Sequence, residues 1–287
     1  MLARLFLLLL APLLAPACAA AGDPSPSVAT PADTAPVDST APVPTAEFDH
    51  AHGGWNELLS RHVRGDAFDY AALKKDPSPL KAYLKQLHAV TPDQLSSWSK
   101  EQRFAFWINV YNAHTIEKIV DNYPLKSIKK LSGALGLNSV FDDRFIDMPL
   151  FHPKGKQKKL SLNDVENEIL RKRFQDARLH AAINCASYSC PPLLGEAFVA
   201  AELDGQLERQ MRAFLADPKR NRYDTDKGVL RLSKIFEWFE GDFERDAGSV
   251  RDYVLRFGPP EQADFIRTAK IRHIDYDWAL NDVRARD

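Results

Sequence analysis

The chain has 287 residues, of which 45% are hydrophobic, 27% charged and 10% aromatic, a balance that excludes a collagen-like, coiled-coil or fully disordered protein. Its length fits one or two domains. With 38 basic and 39 acidic residues the formal net charge is -1, which argues against a protein that mainly grips nucleic acid phosphates. Three cysteines are too few for a disulfide-rich scaffold.

The first 21 residues have the order of a secretory signal peptide. A single positive charge at Arg4 precedes about ten apolar residues, and small residues follow. As a helix the apolar run covers about 15 Å, half of a bilayer core, which disfavours a permanent span. We expect cleavage after Ala19 or Ala21 and a free periplasmic or secreted protein. The alternative is a lipid anchor on Cys18, because the residues before it are similar to a bacterial lipobox.

The composition of residues 22–46 predicts a disordered tether. They hold six of the 19 prolines and contain no aromatic, leucine, isoleucine or basic residue. Such a composition cannot bury enough apolar surface to offset the entropy of ordering the chain. We therefore expect one globular domain over residues 47–287.

The first elements of this domain are predicted to be helical. An apolar stripe indicates a helix within residues 48–63, and a second stripe at i, i+3, i+4 and i+7 indicates one over residues 80–87. Ser99 and Gln102 have the spacing of a capping box and open a helix over residues 100–122. This helix is apolar almost all round, so we expect it to be central and buried.

The later elements mix helices with a few strands. Short strand positions are expected near Phe141, Phe145 and Ile146, followed by an exposed turn at residues 154–159 and a helix that is capped by residues 161–164 and ends at Phe174. A buried strand at 179–185, a helix at 202–216 and a hairpin at 223–232 come next. The last elements are an aromatic helix from Ser233, a final helix capped by Ser249 and a strand at 270–276. Because the strands do not alternate with helices, the pattern predicts an α+β fold: one mostly helical domain with a small sheet.

Asn109 and Asn112 lie three residues apart and therefore on one face of the predicted central helix. A buried asparagine needs partners for its donors and its acceptor. Two interpretations stay open: the two amides form the polar floor of a substrate cleft, or they hold an adjacent segment of backbone.

One segment combines a histidine with two cysteines. His180, Cys185 and Cys190 lie within eleven residues, and an imidazole can activate a nucleophilic thiol. In a regular strand His180 and Asn184 would share one face and Cys185 would point to the other. Cys190 is then the better partner for His180, and Cys185 is a packed thiol. A disulfide between the cysteines and two inert thiols are the alternatives.

No metal or cofactor is predicted. His50 and His52 are a closely spaced pair, but no recognised ligand spacing completes a set around them. The sequence has no glycine-rich phosphate loop, no Gly-x-Ser-x-Gly elbow and no zincin motif. Asp277 belongs to a late carboxylate cluster, where it either orients a histidine as the third member of a triad or caps a turn.

Four segments resemble, in the same order, the signatures of the family called domain of unknown function (DUF) 547. Residues 106–113 resemble its FWINxYNA motif, residues 160–166 its LSLxDIE motif with Arg171 at the family's arginine, residues 180–193 its HxALxCASxSCPxL motif, and residues 276–281 its YDWxLN motif. The resemblance brings no established reaction. In plant members of the family a serine stands at the position of Cys190 and a cysteine at that of Cys185.

The order of an aromatic helix and a histidine-bearing segment is also similar to papain-like and transglutaminase-like cores. In those cores a cysteine opens the central helix, whereas this sequence has no cysteine between Lys100 and Asn122. Either the nucleophile has moved to the turn at Cys190, or a similar fold exists without that chemistry.

Two hypotheses follow for the function. The first is an exported thiol-dependent hydrolase or acyl transferase, with Cys190 as nucleophile, His180 as base and Asp277 as orienting residue. The residues expected to bind substrate are Asn109, Asn112, Glu166, Arg171 and Cys185. The second is a non-enzymatic periplasmic binding or interaction module with a polar cleft for a peptide or small ligand. A redox dithiol protein ranks third, because the cysteines lack the Cys-x-x-Cys spacing. Neither main hypothesis involves nucleic acid, and a membrane enters only through a lipidated Cys18.

Overall fold

A computed structural model of the protein describes residues 47–133, 139–148 and 158–284. Glu47–Asp287 forms one compact unit. The predicted signal peptide, Cys18, the predicted tether and most of the predicted lysine-rich turn lie outside the described residues.

The first part of the unit is built from helices and one tiny hairpin. The helices are α1 Gly53–His62, α2 Tyr70–Lys75, α3 Ser78–His88, α4 Pro92–Ser97 and α5 Lys100–Asn122. The hairpin pairs β1 Val63–Arg64 with β2 Ala67–Phe68. The predicted capping box at Ser99 and Gln102 is present at the start of α5, which confirms that helix. Two short 3-10 helices follow, Ile128–Leu131 and Val140–Asp142.

The second part contains a π-helix, several short helices and a three-stranded sheet. The π-helix is Asp164–Arg171, and the α-helices are α6 Lys172–Phe174, α7 Leu179–Ala182, α8 Leu203–Ala216, α9 Ile235–Trp238, α10 Glu240–Ala247, α11 Val250–Phe257 and α12 Ala263–Thr268, with a 3-10 turn at Pro260–Gln262. The strands are β3 Arg222–Asp224, β4 Val229–Ser233 and β5 Lys270–Ile274. Strand β4 pairs antiparallel with β3 and parallel with β5, in the order β3-β4-β5. The predicted α+β class, mostly helical with a small sheet, is confirmed.

Two hydrophobic clusters hold these elements together. The first surrounds α5, whose residues 104–116 are buried without a break, so the prediction of a central buried helix is confirmed. The second packs α8, the three-stranded sheet and helices α9 to α12 around Phe236 and Phe243. No helix in the described part of the chain is long and apolar enough to cross a membrane.

Several predicted elements differ from the structure. The strand expected at residues 179–185 is instead α7, closed by a 3.1 Å bond from the Ile183 N–H to the Leu179 carbonyl, and only the end of the segment is extended. Two consecutive alanines favour this helical turn over a strand. Of the three predicted strand positions, Phe141 lies in the 3-10 helix Val140–Asp142, and Ile146 forms a single bridge with Leu160. Ser249 caps α11, but α12 follows it.

Candidate active site

A cavity of about 140 Å³ opens where the two hydrophobic clusters meet. Four of the predicted site residues line it: Glu166, His180, Cys185 and Cys190. The other described lining residues are mainly aromatic or aliphatic: Tyr111, Phe141, Asn163, Ile183, Ile235, Trp238, Phe239, Tyr276 and Trp278. The remaining predicted site residues, Asn109, Asn112, Arg171 and Asp277, are not among them.

The cysteine loop, residues 184–191, is held in an unusual shape by its own first residue. Asn184 Nδ2 donates to the Pro191 carbonyl at 2.7 Å, and Asn184 Oδ1 accepts the Ala186 N–H at 2.8 Å. Ala186 is fully buried with a φ of 60°, in the left-handed region that costs a non-glycine residue about 1–2 kcal/mol. The residue that directly follows Cys185 is therefore strained, and the surrounding bonds maintain that strain.

A buried arginine fixes the other end of the cysteine loop. Arg220 donates from Nε to the Cys190 carbonyl at 2.6 Å and from a terminal nitrogen to the Tyr188 carbonyl at 2.7 Å. It is 3% exposed and forms an ion pair with Asp217. Because a buried charge needs such partners, these hydrogen bonds hold the two carbonyls of the loop in place around Arg220.

The two thiols have environments opposite to those expected from the sequence. Both are free. Cys185 is half-buried, and its sulfur contacts the hydroxyls of Ser187 at 3.0 Å and Tyr276 at 3.3 Å. Cys190 is 5% exposed, and its sulfur accepts the Cys185 N–H at 3.1 Å. The sequence pattern favoured Cys190 as nucleophile, whereas these contacts and exposures favour Cys185.

Protonation follows the same division. Hydrogen bonding from the Cys190 thiol, aided by Ser187 and Tyr276, outweighs burial and lowers the pKa of Cys185. Burial, the hydrogen bond to Cys185 and its charge raise the pKa of Cys190 well above its usual range. Ionisation is therefore favoured at Cys185 and disfavoured at Cys190, and a thiol that stays protonated is a poor nucleophile.

His180 is oriented by a residue that the sequence analysis missed. Its Nε2 donates to Asp242 Oδ2 at 2.8 Å, while its ring stacks on Phe239 with a centroid separation of 4.0 Å. Burial lowers the pKa of His180 despite this carboxylate, so the imidazole is neutral near pH 7 and its Nδ1 has a free lone pair. The arrangement is that of the histidine and carboxylate in a catalytic triad.

Asp242 is kept ionised by two arginines. Its Oδ2 also accepts Arg171 Nε at 2.6 Å, and its Oδ1 accepts Arg245 at 2.9 Å. Burial opposes ionisation, but the hydrogen bonds from His180 and Arg171 lower the pKa of Asp242 far below its usual range. Arg171 therefore positions Asp242 and does not face the cavity, which corrects its prediction as a substrate-binding residue.

Asp277 does not orient His180. Its Oδ1 accepts the N–H of Ala279 at 2.8 Å, and its own N–H donates to Ser189 Oγ at 2.8 Å. The side chain is a turn cap on an exposed residue, which is the alternative that the sequence left open. The carboxylate that contacts His180 is Asp242, which lies on α10.

The two asparagines of α5 are hydrogen-bonded to backbone, and neither lines the cavity. Asn112 Nδ2 donates to the Ala182 carbonyl at 2.9 Å and its Oδ1 accepts the Asn184 N–H at 2.9 Å. Asn109 makes the equivalent pair of bonds, at 2.8 and 3.2 Å, with the backbone of Phe198. Both amides are buried, and each donates one and accepts one of these hydrogen bonds. Asn112 thereby ties the start of the cysteine loop to the central helix.

Glu166 is a buried acid inside the cavity. It projects from the π-helix, is hydrogen-bonded to Tyr111, and its Oε1 lies 3.9 Å from His180 Nδ1. Burial, and then the charge of Cys185, raise the pKa of Glu166 to about 7. At neutral pH a large share of Glu166 is protonated, so it can donate a proton beside the thiolate.

The pH dependence of stability provides a test of the Glu166 environment. Its ordinary pKa is about 4.3. Since the folded pKa is raised, this group costs no stability at pH 4, and the cost grows as the pH rises through about 7. We expect Glu166→Gln to match the parent protein at pH 4 and to exceed its free energy of unfolding by about 2–3 kcal/mol at pH 8. Urea denaturation at the two pH values measures this difference.

Glu168→Gln is the matched control, because Glu168 lies on the same helix but is exposed and ion-paired with Lys172. Its effect should differ between pH 4 and pH 8 by less than about 0.5 kcal/mol. A Glu166→Gln protein that gains no stability at pH 8 would contradict a raised pKa at Glu166.

The predicted histidine pair near the tether has a structural explanation. His52 is buried, its Nδ1 lies 2.7 Å from the Tyr83 hydroxyl, and both His50 and His52 pack edge-on against Phe48. Among the residues that the structure describes, no group of three or more His, Cys, Asp or Glu side chains is arranged to hold a metal ion.

Residues 95–215 match the model of a family described as a protein of unknown function, DUF547. The matched range contains α5, the π-helix, His180 and the cysteine loop, and it supports the membership that the sequence motifs indicate. Asp242 and Tyr276 lie beyond it. No curated protein and no solved structure matches the chain, so the likeness to papain-like and transglutaminase-like cores stays a prediction.

Proposed function

We propose that the protein is a thiol-dependent hydrolase or acyl transferase in which Cys185 is the nucleophile. One observation carries the proposal. A single cavity contains a hydrogen-bonded thiol of lowered pKa at Cys185, a neutral histidine held by Asp242, and the buried acid Glu166. A nucleophile, a base with its orienting carboxylate, and an acid of raised pKa are the groups that acyl transfer through a covalent intermediate requires.

In the first step the Cys185 thiolate attacks the acyl carbon, and the bond to the leaving group breaks. Protonated Glu166 supplies the proton that the departing heteroatom needs. The Ser187 hydroxyl donates to the Tyr276 hydroxyl at 2.9 Å, and the Tyr276 hydroxyl, 3.3 Å from the Cys185 sulfur, can donate its hydrogen to the thiolate and stabilise the negative charge before the attack. The Cys185 N–H is already donated to Cys190, so the donor for the developing oxyanion is the Tyr276 hydroxyl, which the sulfur releases when its charge is consumed in the attack.

In the second step the acyl group leaves Cys185. His180 Nδ1 takes a proton from water or an acceptor nucleophile, which attacks the acyl carbon and releases the thiolate. Asp242 stabilises the imidazolium that forms and keeps the Nε2–H tautomer. Water as acceptor makes the protein a hydrolase, and an alcohol, amine or thiol makes it an acyl transferase.

The alkylation rate of the folded protein tests the nucleophile. We expect one thiol to react rapidly with iodoacetamide, with a midpoint pH well below the ordinary thiol pKa of about 8.5, because its hydrogen bonds favour the thiolate. Peptide mapping should place the label on Cys185. The Cys185→Ser protein should lose the fast phase, while Cys190→Ser should keep it. Fast labelling of Cys190, or an ordinary midpoint, would overturn the assignment.

The competing hypothesis, a non-enzymatic binding module, makes a different prediction in the same experiment. It requires no activated thiol, so both cysteines would react slowly or be joined in a disulfide, which intact mass detects as a loss of two hydrogen atoms. The hydrogen-bonded arginines and asparagines around the cysteine loop would then serve only to shape a cleft.

Export from a bacterial cell is also part of the proposal. The order of charge, apolar run and small residues at the start of the chain supports a signal peptide, and the proline-rich residues 22–46 fit a tether. We expect the mature protein, expressed in a bacterium with two membranes, to begin just after Ala19 or Ala21 and to fractionate with the periplasm. Intact mass measures this. The mass should be the same for Cys18→Ser; a lipid adduct that this variant removes, or a chain that keeps Met1, would contradict cleavage.

A further inference from the structure

Three aromatic side chains form one wall of the cavity. The rings of Trp238 and Tyr276 lie 4.7 Å apart, those of Tyr276 and Trp278 4.6 Å, and those of Trp238 and Trp278 6.0 Å at an angle of 25°. We call these three residues the aromatic wall. Trp238 is 46% exposed, and it is the large hydrophobic side chain that the described surface leaves open. The wall therefore runs from solvent into the cavity.

The inner end of the aromatic wall touches the nucleophile. Tyr276 belongs to the wall through its ring, and its hydroxyl lies 3.3 Å from Cys185 Sγ. Phe239, another residue of the cavity lining, stacks on His180. A flat group stacked on the wall would therefore carry its nearest substituent toward the sulfur, with its faces against rings as aromatic pairs prefer.

The size and charge of the cavity limit what this group can be. A cavity of about 150 Å³ accommodates a benzene molecule, and this one measures about 140 Å³. Its described lining holds no lysine or arginine to pair with a carboxylate, and the thiolate that the mechanism places at Cys185 would repel one. Lys129, whose Nζ lies 4.8 Å from the ring of Trp278, is outside the lining. The space suits one uncharged ring.

We infer that the acyl donor carries an uncharged, flat, ring-sized acyl group that stacks on the aromatic wall. The benzoyl group of an ester or thioester is an example. This inference rests on the proposed function. The acyl part occupies the enclosed space because it stays bound to Cys185 through both steps, whereas the leaving group must depart. With a thioester, Cys185 Sγ bonds to the acyl carbon, the carbon–sulfur bond to the leaving thiol breaks, and Glu166 protonates that thiol. Water then gives the free acid and restores Cys185.

The test uses thioesters of N-acetylcysteamine that differ only in their acyl group. We expect kcat/KM for the benzoyl thioester to exceed that for the acetyl thioester at least tenfold, and that for the succinyl thioester at least a hundredfold. Trp238→Ala should lower the benzoyl value about tenfold and the acetyl value less than threefold, and Trp238→Phe, which keeps a ring, should restore most of the loss. Thiol release measures each rate.

Two outcomes separate this inference from the proposed function. Turnover that depends on Cys185 but shows no preference for the benzoyl group, or an equal loss for both substrates in Trp238→Ala, overturns the aryl inference and leaves the function standing. Absence of turnover overturns the function. In that case calorimetry compares the binding of neutral benzamide and acetamide. Tighter binding of benzamide that is weakened in Trp238→Ala supports recognition of a ring by the aromatic wall. Equal binding of the two amides overturns that recognition as well.

Discussion

Replacing Cys185 by serine is expected to lower kcat/KM for thioester cleavage by about a thousandfold or more. A serine hydroxyl has the same hydrogen-bond partners, Ser187 and Tyr276, but it stays protonated where the thiol ionises, so attack on the acyl carbon loses its nucleophile. Steady-state rates with the benzoyl thioester measure the loss. Unchanged near-ultraviolet circular dichroism would show that the fold is retained.

Cys190→Ser is the matched variant, five positions along the same loop. Its hydroxyl can still accept the Cys185 N–H and can still donate to the Cys185 sulfur, so we expect it to keep at least a tenth of the activity. The reverse ranking, with Cys190→Ser inactive and Cys185→Ser active, would return the nucleophile to Cys190.

Asp242→Asn should lower kcat by about a hundredfold or more while the protein remains folded. The substitution conserves shape, but the amide is neutral, and it can present an N–H to His180 Nε2 and so favour the wrong tautomer. Nitrogen-15 chemical shifts of His180 should change from the Nε2–H to the Nδ1–H pattern. That readout separates a change in the base from a general loss of stability, since Arg171 and Arg245 also lose a charged partner.

Asp277→Asn is the control for Asp242, since Asp277 is the carboxylate that the sequence pattern favoured. Its side chain caps a turn, and an amide oxygen can accept the same N–H from Ala279. We expect full activity and an unchanged His180 spectrum. A loss in Asp277→Asn equal to that in Asp242→Asn would mean that the turn, and not the histidine–carboxylate pair, controls the rate.

Local patterns in the sequence were sufficient to predict the scaffold of the site. The capping box at Ser99 and the apolar pattern of α5 depend only on neighbours along the chain, and both are present. The segment that the sequence analysis singled out also lines the cavity, through His180 and Cys185. Residues that act through their position in a short motif were therefore accessible without a structure.

Roles within the site could not be predicted, for two physical reasons. The faces assigned to His180 and Cys185 assumed a strand, and the short α7 changes every direction in the segment. The partners are also remote in sequence: Asp242 follows His180 by 62 positions, and Tyr276 follows Cys185 by 91. Packing of α10 against His180 on α7, and of the chain after β5 against the cysteine loop, brings them together, and no local pattern records it. A buried arginine such as Arg220 leaves no signal of its burial either.

The π-helix carries both Glu166 and Arg171, and the length of its turn determines the directions in which these two side chains point. Glu166 and Arg171 are five residues apart, which in an α-helix would set their side chains about 140° apart around the axis. In the wider turn, whose backbone bonds join residues five apart, the two lie near one face: Glu166 reaches the cavity and Arg171 reaches Asp242. Shortening this turn by one residue would swing one of them away without altering any functional group. The chemistry of this cavity is thus encoded in a residue count as well as in residue types.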